Sequence, residues 1–417
     1  MSKPTKSTHR PSLRRCLQSL ALVVATTAAL SATAAPNFPF GSHRQAYASG
    51  TLSPSVGRTS ADQSTASFYR TWKQRYLVPA CKAGEYRVKA DTGDGAYVVS
   101  EGQGYGMLIT VMMAGEDPQA QTLFDGLHRY NRAHPSRNNS DLLAWAQNAN
   151  CQNMLDPDSA TDGDLDIAYA LLLADLQWGS SGTINYAAEA RRVIAAIRRS
   201  NVNPTTKLVN LGDWVSPDVP SHYYATRSSD WMLGHFRSFA SKLGDSYWTG
   251  VLDAHQTLLS KMQTNYAPNT GLTPDFMVDT NTSVKPAPPN FLEADADGYY
   301  SWNAGRVPWR LGIDAAISGD SRSRDAARKL SQWIRVKAGN DPNRVRSGYR
   351  LDGQVLEDYN SMFFTAPFAV AATVDPDGQA WLDRLWSYTV SSGPSDYYGD
   401  SIKVLSMLAV SNNWLKP

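Results

Sequence analysis

Residues 159–178 read SATDGDLDIAYALLLADLQW. Ile167, Ala168, Leu171, Leu172 and Leu176 recur at three- and four-residue spacing, which predicts a helix over residues 164–177 with one apolar face. Thr161 or Asp162 stands where a helix N-cap is expected. The same pattern recurs on both sides. Phe68, Tyr69 and Trp72 open a helix that begins near residue 64. Residues 102–114 are apolar with small side chains. Residues 117–134 place Ala120, Leu123, Phe124, Leu127 and Tyr130 on one face, and Asp117-Pro118 suits a cap followed by a first-turn proline. Further helical stretches are expected at 186–199, 229–243, 248–263, 306–317, 322–337, 360–373, 379–388 and 398–408. That makes about a dozen helices at even spacing, with no β-α-β alternation. Paired helices, each burying a stripe against its neighbours, are the physical reading. Twelve of them could close as a ring of six hairpins or run on as an open solenoid, and periodicity does not choose.

The chain has 417 residues, 42% of them apolar and 19% charged, so a sizeable core is available and wholesale disorder is excluded. The first 34 residues read as a secretory signal peptide. They have a basic start (Lys3, Lys6, Arg10, Arg14, Arg15), an apolar run from Leu17 to about Leu30, and a small-x-small site at Ala32-Thr33-Ala34. Export is therefore expected. Without those 34 residues, which hold five Lys/Arg and no Asp/Glu, the formal charge moves from +2 to −3. A slightly acidic chain without a basic patch argues against a nucleic-acid partner. Cys16 leaves with the leader. Cys81 and Cys151 remain, either as one disulfide or as two buried thiols. Residues 35–60, rich in Pro, Gly, Ser and Ala, are expected to be a flexible lead-in, and residues 61–417 a single domain. Twelve Trp and twenty Tyr suit either a large core or a cleft for sugars.

Three loop segments concentrate carboxylates. Ser100-Glu101-Gly102-Gln103-Gly104-Tyr105-Gly106-Met107 opens an apolar helix. A first-turn Glu can simply complement the helix dipole, but the glycines permit close approach of a backbone or ligand. A carboxyl desolvated beside Tyr105 would hold its proton, as a general acid must. Asp162, Asp164 and Asp166 crowd three acids into five residues. They lack the twelfth-position Glu of a calcium loop, where Leu173 stands, and capping needs only one of them. The surplus points to a wall for a sugar or cation. Residues 289–310 form a long loop dense in Pro, acids and aromatics, including Glu293, Asp295, Tyr300, Trp302, Asn303, Arg306 and Trp309. Asp213-Trp214 and Arg227-Ser228-Ser229-Asp230-Trp231 continue this chemistry, although each reads singly as a turn beside a core aromatic. Together, separated carboxyls flanked by aromatic platforms are what glycoside hydrolysis uses.

Residues 100–107 resemble the acid motif of glycoside hydrolase family 8, and Ala160-Thr161-Asp162-Gly163-Asp164 with Ile167, Ala168, Ala174 and Trp178 resembles that family's signature helix. The resemblance continues through Arg306-Val307-Pro308-Trp309-Arg310 to Tyr397-Tyr398-Gly399-Asp400-Ser401, covering about residues 60–415. It implies an all-α (α/α)6 barrel, inversion at the anomeric carbon and β-1,4-linked glycan substrates. By the match, Glu101 is the general acid and Asp162 lies by the sugar at the cleavage point. The cellulase-like branch carries its basic Asp where this chain has Asn303, and an amide cannot serve as a base. In the chitosanase- and lichenase-like branch that position is also Asn, and a loop Glu is the base. Asn290-Phe291-Leu292-Glu293 resembles that loop, which implies Glu293 as base. Tyr105, Asp164, Asp213, Trp214, Trp231, Tyr300, Asn303, Arg306 and Trp309 are the expected substrate contacts. No metal or cofactor is expected, and a monomer is. Cleft acids would favour cationic chitosan, so an endo-chitosanase is the leading expectation. An endoglucanase or licheninase is the alternative, and a non-catalytic glycan-binding protein a remote one.

Overall fold

A computed structural model describes residues 35–417; the expected signal peptide at 1–34 lies outside them. Twelve helices of more than one turn are found among the described residues. They are α1 (Arg58–Tyr76), α2 (Ser100–Met112), α3 (Ala120–Ala133), α4 (Thr161–Trp178), α5 (Tyr186–Ser200), α6 (Leu233–Leu243), α7 (Tyr247–Asn265), α8 (Val307–Ser318), α9 (Ser321–Lys337), α10 (Met362–Ala372), α11 (Gln379–Ser391) and α12 (Tyr397–Val410). Every stretch expected to be helical is helical, and most ends differ by only a few residues. The largest shifts are at α1, which starts six residues earlier, and α6, which starts four later because Ser228–Asp230 form a 3-10 turn.

The even-numbered helices are the inner wall. All of α2, α10 and α12 except Tyr398 is buried. The odd-numbered helices show one apolar stripe, as in α3 and α5. A helix enclosed on all sides must be apolar or small all round, whereas an outer helix needs one stripe. Contacts decide between ring and solenoid. α2 packs on α4, α4 on α6, α6 on α8, α8 on α10, α10 on α12, and α12 returns to α2. The ring is closed, and the fold is an (α/α)6 barrel.

Short strands, which the sequence pattern did not reveal, sit on the loops. β1 (Leu77–Pro79) pairs with β2 (Tyr86–Val88), and β3 (Val98–Val99) with β4 (Ala146–Gln147). β5 (Thr226–Arg227), β6 (Phe276–Val278) and β7 (Lys285–Pro286) form a three-stranded antiparallel sheet. Two or three residues are too few to display an alternating period. β3 runs straight into α2, and β5 leads through the 3-10 turn to α6, so both brace the end of the barrel where inner helices begin.

The expected flexible lead-in is instead a strap across the opposite end. Asn37 N–H donates to Gln177 O (2.9 Å), Phe40 N–H to Ala114 O (2.8 Å), Ala48 N–H to Ala316 O (2.7 Å) and Leu52 N–H to Thr373 O (2.7 Å). The Tyr47 hydroxyl donates to Ala409 O (3.0 Å). These carbonyls belong to, or directly follow, the C-terminal ends of α2, α4, α8, α10 and α12, where helices leave acceptors without intrahelical donors. A Pro- and Gly-rich segment that makes no helix of its own has its N–H groups free to satisfy them. Phe38, Phe40, Tyr47 and Leu52 pack on the core. Deleting residues 35–57 is expected to cost roughly 4 kcal/mol or more from these four side chains alone. Thermal melting of the shortened chain would show a drop of many degrees. An unchanged melting temperature would contradict the capping role.

Cys81 and Cys151 are joined as a disulfide, which settles the pairing left open by the sequence. It ties the β1–β2 hairpin to the loop after β4.

Candidate active site

Inner helices α2 and α4 bring Glu101 and Asp162 together. Each carboxyl sits on the second residue of its helix, and the helices touch because two glycines face the contact. A Cβ at Gly104 would lie 2.8 Å from Asp166 Cβ, and one at Gly163 would lie 2.6 Å from the Ser100 carbonyl carbon. Only hydrogen fits there. Asp162 is not the N-cap that its position suggests. The cap is Ala160, which supplies no side-chain bond, and Asp162 instead faces two arginines.

Arg306 lies between the acids. Its Nη1 donates to Glu101 Oε2, to Asp162 Oδ2 (3.2 Å) and to the Tyr105 hydroxyl (3.3 Å). Its Nη2 donates to Asn303 Oδ1 (2.8 Å), and Asn303 Nδ2 donates to Glu293 Oε2 (2.8 Å). The loop bearing Glu293 is held by a buried carboxylate. Asp297 accepts from the N–H groups of Leu292 (2.7 Å), Glu293 (3.0 Å) and Ala294 (2.9 Å). Asp275 accepts from Ser301 N–H (3.0 Å) and Ala304 N–H (2.7 Å), which fixes the turn carrying Asn303 and Arg306.

The carboxyls occupy different environments. Glu101 is buried, and desolvation pushes its pKa up to about 7 against the pull of Arg306. The Tyr397 hydroxyl donates to its other oxygen (3.3 Å). Burial acts on Asp162 in the same sense, but Arg227 and Arg306 outweigh it and hold that carboxyl below its ordinary value. The Glu293 side chain is 44% exposed on its loop. A protonated carboxyl and a solvent-facing one in the same cleft can give and take a proton in one step.

These residues line a cavity of about 360 Å³ together with Thr92, Asp94, Val99, Trp145, Arg227, Trp302, Asn303 and Tyr398. Trp302 is 43% exposed and is backed by Phe363 and Phe364 (ring centroids 5.2 Å each). Among the described residues no group of three or more His, Cys, Asp or Glu is placed to hold a metal.

The family model for glycosyl hydrolases family 8 matches residues 48–412. The chain belongs to glycoside hydrolase family 8. This family 8 enzyme is 45% identical over 385 residues to a β-glucanase of Niallia circulans, with 92% of each chain covered. It is 40% identical over 408 residues to an endoglucanase of Bacillus sp. strain KSM-330, covering 95% of this chain and 85% of the relative. Its fold matches the apo structure of a β-1,3-1,4-glucanase from Paenibacillus sp. X4, with a TM-score of 0.88 and 44% identity. The match covers 92% of this chain and all of the other. The protein is thus a glycosidase on an all-α barrel.

In this hydrolase Glu101, Asp162, Glu293, Asn303 and Arg306 line one cavity, while most of the other expected sugar contacts are not among its lining residues. Trp231, Tyr300 and Trp309 are core side chains, as is Tyr105, which contacts Arg306 from beneath. A ring enclosed by protein has no face left for a sugar. Asp164 is buried and accepts from Leu143 N–H (3.1 Å) and the Asn201 amide (3.2 Å). Asp213 accepts from Ser136 Oγ (2.6 Å) and Ser159 N–H (2.7 Å), so both acids brace loops. Trp214 packs on the small cluster that includes Leu211 and against His222, and is not among the residues lining the cavity. The aromatic lining is Trp145, Trp302 and Tyr398 instead. Trp302 and Tyr398 lie inside motifs already singled out, where only an exposure pattern could have separated them from their buried neighbours. Trp145 carries no sequence signal.

Proposed function

We propose that this protein is an inverting endo-β-glucanase acting on β-1,3-1,4- and β-1,4-glucans, with Glu101 as general acid and Glu293 as general base. The observation that carries this reading is the pairing of a buried carboxyl near pKa 7 with an exposed carboxylate in one cleft. Glu101 protonates the leaving oxygen, and Glu293 takes a proton from the attacking water. Asn303, at the cellulase-branch base position, donates to Glu293 and so orients it. That supports placing the chain in the branch whose base is a loop Glu. Asp162, kept ionised, accepts hydroxyls of the sugar at the cleavage point, with Trp145, Trp302 and Tyr398 as its platforms. The leader at residues 1–34 supports secretion.

A glucan is preferred here over chitosan. The chitosan expectation rested on acids lining the cleft, and Asp164, Asp213 and Asp297 are committed to bracing the fold, while Asp295 accepts from the Asn290 amide. The cavity's four acids (Asp94, Glu101, Asp162, Glu293) are offset by Arg227 and Arg306, and Glu101, with its pKa pushed up to about 7, carries only part of a charge at neutrality. The similar β-glucanases support the same choice. Purified enzyme should lower the viscosity of barley β-glucan and carboxymethyl cellulose rapidly and that of chitosan at least tenfold more slowly. A faster drop on chitosan would overturn the substrate assignment and leave the two carboxyl roles standing.

A further inference from the structure

Arg227, at the end of β5, spreads its three nitrogens over three carboxylates from three separate segments. Its Nε donates to Asp230 Oδ1 (3.2 Å), its Nη2 faces Asp162 Oδ1 (3.2 Å) and its Nη1 faces Glu293 Oε1 (3.5 Å). Asp162 belongs to the wall of the barrel and Glu293 to an exposed loop. Apart from the Asn303 amide, Arg227 is the tie between that loop carboxylate and the barrel. Asp230 lies behind it. Asp230 has no exposed surface and does not line the cavity, so it cannot touch substrate.

Asp230 is also an expensive residue to bury. Desolvation pushes its pKa up to about 6 even beside Arg227, and its Oδ2 has no hydrogen-bond partner. Its Oδ1 accepts from Ser229 Oγ (2.7 Å) as well as from Arg227. The local fold does not account for it. α6 begins at Leu233 without a side-chain cap, and α6 is anchored to α4 independently through His235 and Asp166 (2.8 Å). A half-satisfied buried carboxylate is retained at a cost, which calls for a compensating use. The rigid fork of a guanidinium explains that use, because fixing Nε at one end fixes the direction of both Nη groups at the other.

We propose that Asp230 is a positioning residue for the hydrolytic reaction: through Arg227 it holds Glu293 and Asp162 in register with each other around the cleft. The inference rests on the assignment of Glu293 as base. Asp230→Asn removes the charge that anchors Nε while keeping the shape. Arg227 is then free to turn toward Glu293 and Asp162, and the base leaves its working geometry. Misplacement by about 1 Å is worth roughly 100-fold in rate.

The test is a double-mutant cycle on barley β-glucan, with thermal melting as the control for folding. Asp230→Asn is expected to lower kcat roughly 10- to 100-fold with KM changed less than about threefold. In a Glu293→Gln background the same substitution should cost markedly less, because no base remains to be positioned and only the hold on Asp162 is lost. A merely structural role would lower both backgrounds alike. Equal losses in the two backgrounds, or an unchanged kcat for Asp230→Asn, would overturn the proposal while leaving Glu293 as base. Wild-type turnover by Glu293→Gln itself would instead remove the base assignment, and this proposal with it. Should Asp230→Asn fail to fold, Arg227→Lys keeps the charge, loses the three-way fork and is expected to give the same non-additive pattern.

Discussion

Glu101→Gln is expected to lose two to four orders of magnitude in kcat on β-glucan while the protein melts as before. The substitution replaces one oxygen by an amide nitrogen of nearly the same size. The amide oxygen can still accept from Arg306 while its NH2 donates to the Tyr397 hydroxyl oxygen, so packing is preserved. What disappears is the transferable proton, whose loss is worth roughly 10²–10⁴ in rate, or about 3–5 kcal/mol of barrier. The wild-type pH profile follows from the same residue. Burial holds the Glu101 pKa at about 7. The acid is therefore protonated and competent below that value, and kcat/KM should fall as pH rises through it. In Glu101→Gln that alkaline limb should vanish. The defect should also shrink on a nitrophenyl β-cello-oligosaccharide cleaved at the phenolate, since a good leaving group departs without a proton. Near-normal turnover on glucan would take Glu101 out of the acid role.

Glu293→Gln is expected to be as damaging on glucan, again roughly 10²–10⁴-fold, but with a different signature. The attacking water must be deprotonated whatever leaves, so the defect should persist on the nitrophenyl substrate. The amide still receives the Asn303 donor through its oxygen, and the loop is still held by Asp297 through three backbone N–H groups. Loss of activity is then not loss of the loop. If Asn303→Ala abolished turnover while Glu293→Gln did not, the base would have to be sought elsewhere.

The sequence and the structure part company in an orderly way. Helix positions were legible because an apolar stripe at 3.6-residue period is a local property, and Leu171, Leu172 and Leu176 state it without help from the rest of the chain. The roles proposed for Glu101 and Glu293 came from motif resemblance. The cleft aromatics were not. Tyr300 and Trp302 are two residues apart in one motif, yet one is enclosed by the core and the other is 43% exposed. Composition and spacing are the same for both, and only the path of the neighbouring chain separates them. The acids behaved likewise. Asp162 and Asp164 differ by two positions, which on a helix turns one toward the arginines of the cleft and the other toward the Asn201 amide.

The segment at residues 35–57 shows the same limit from the other side. Its Pro, Gly and Ser content correctly excluded regular structure, but the carbonyls it satisfies lie up to 362 residues away in the chain. By itself, then, the sequence determined the helical hairpins, the glycines that let α2 and α4 touch, and the two carboxyls proposed for the reaction. These depend on side chains within a few turns of one another. Closure of the ring, the strap across its far end, the Arg227 junction and the choice of Trp145, Trp302 and Tyr398 as lining were decided only by the tertiary structure. Each depends on which remote groups meet, and burial and pairing are properties of the assembled barrel rather than of any stretch of chain.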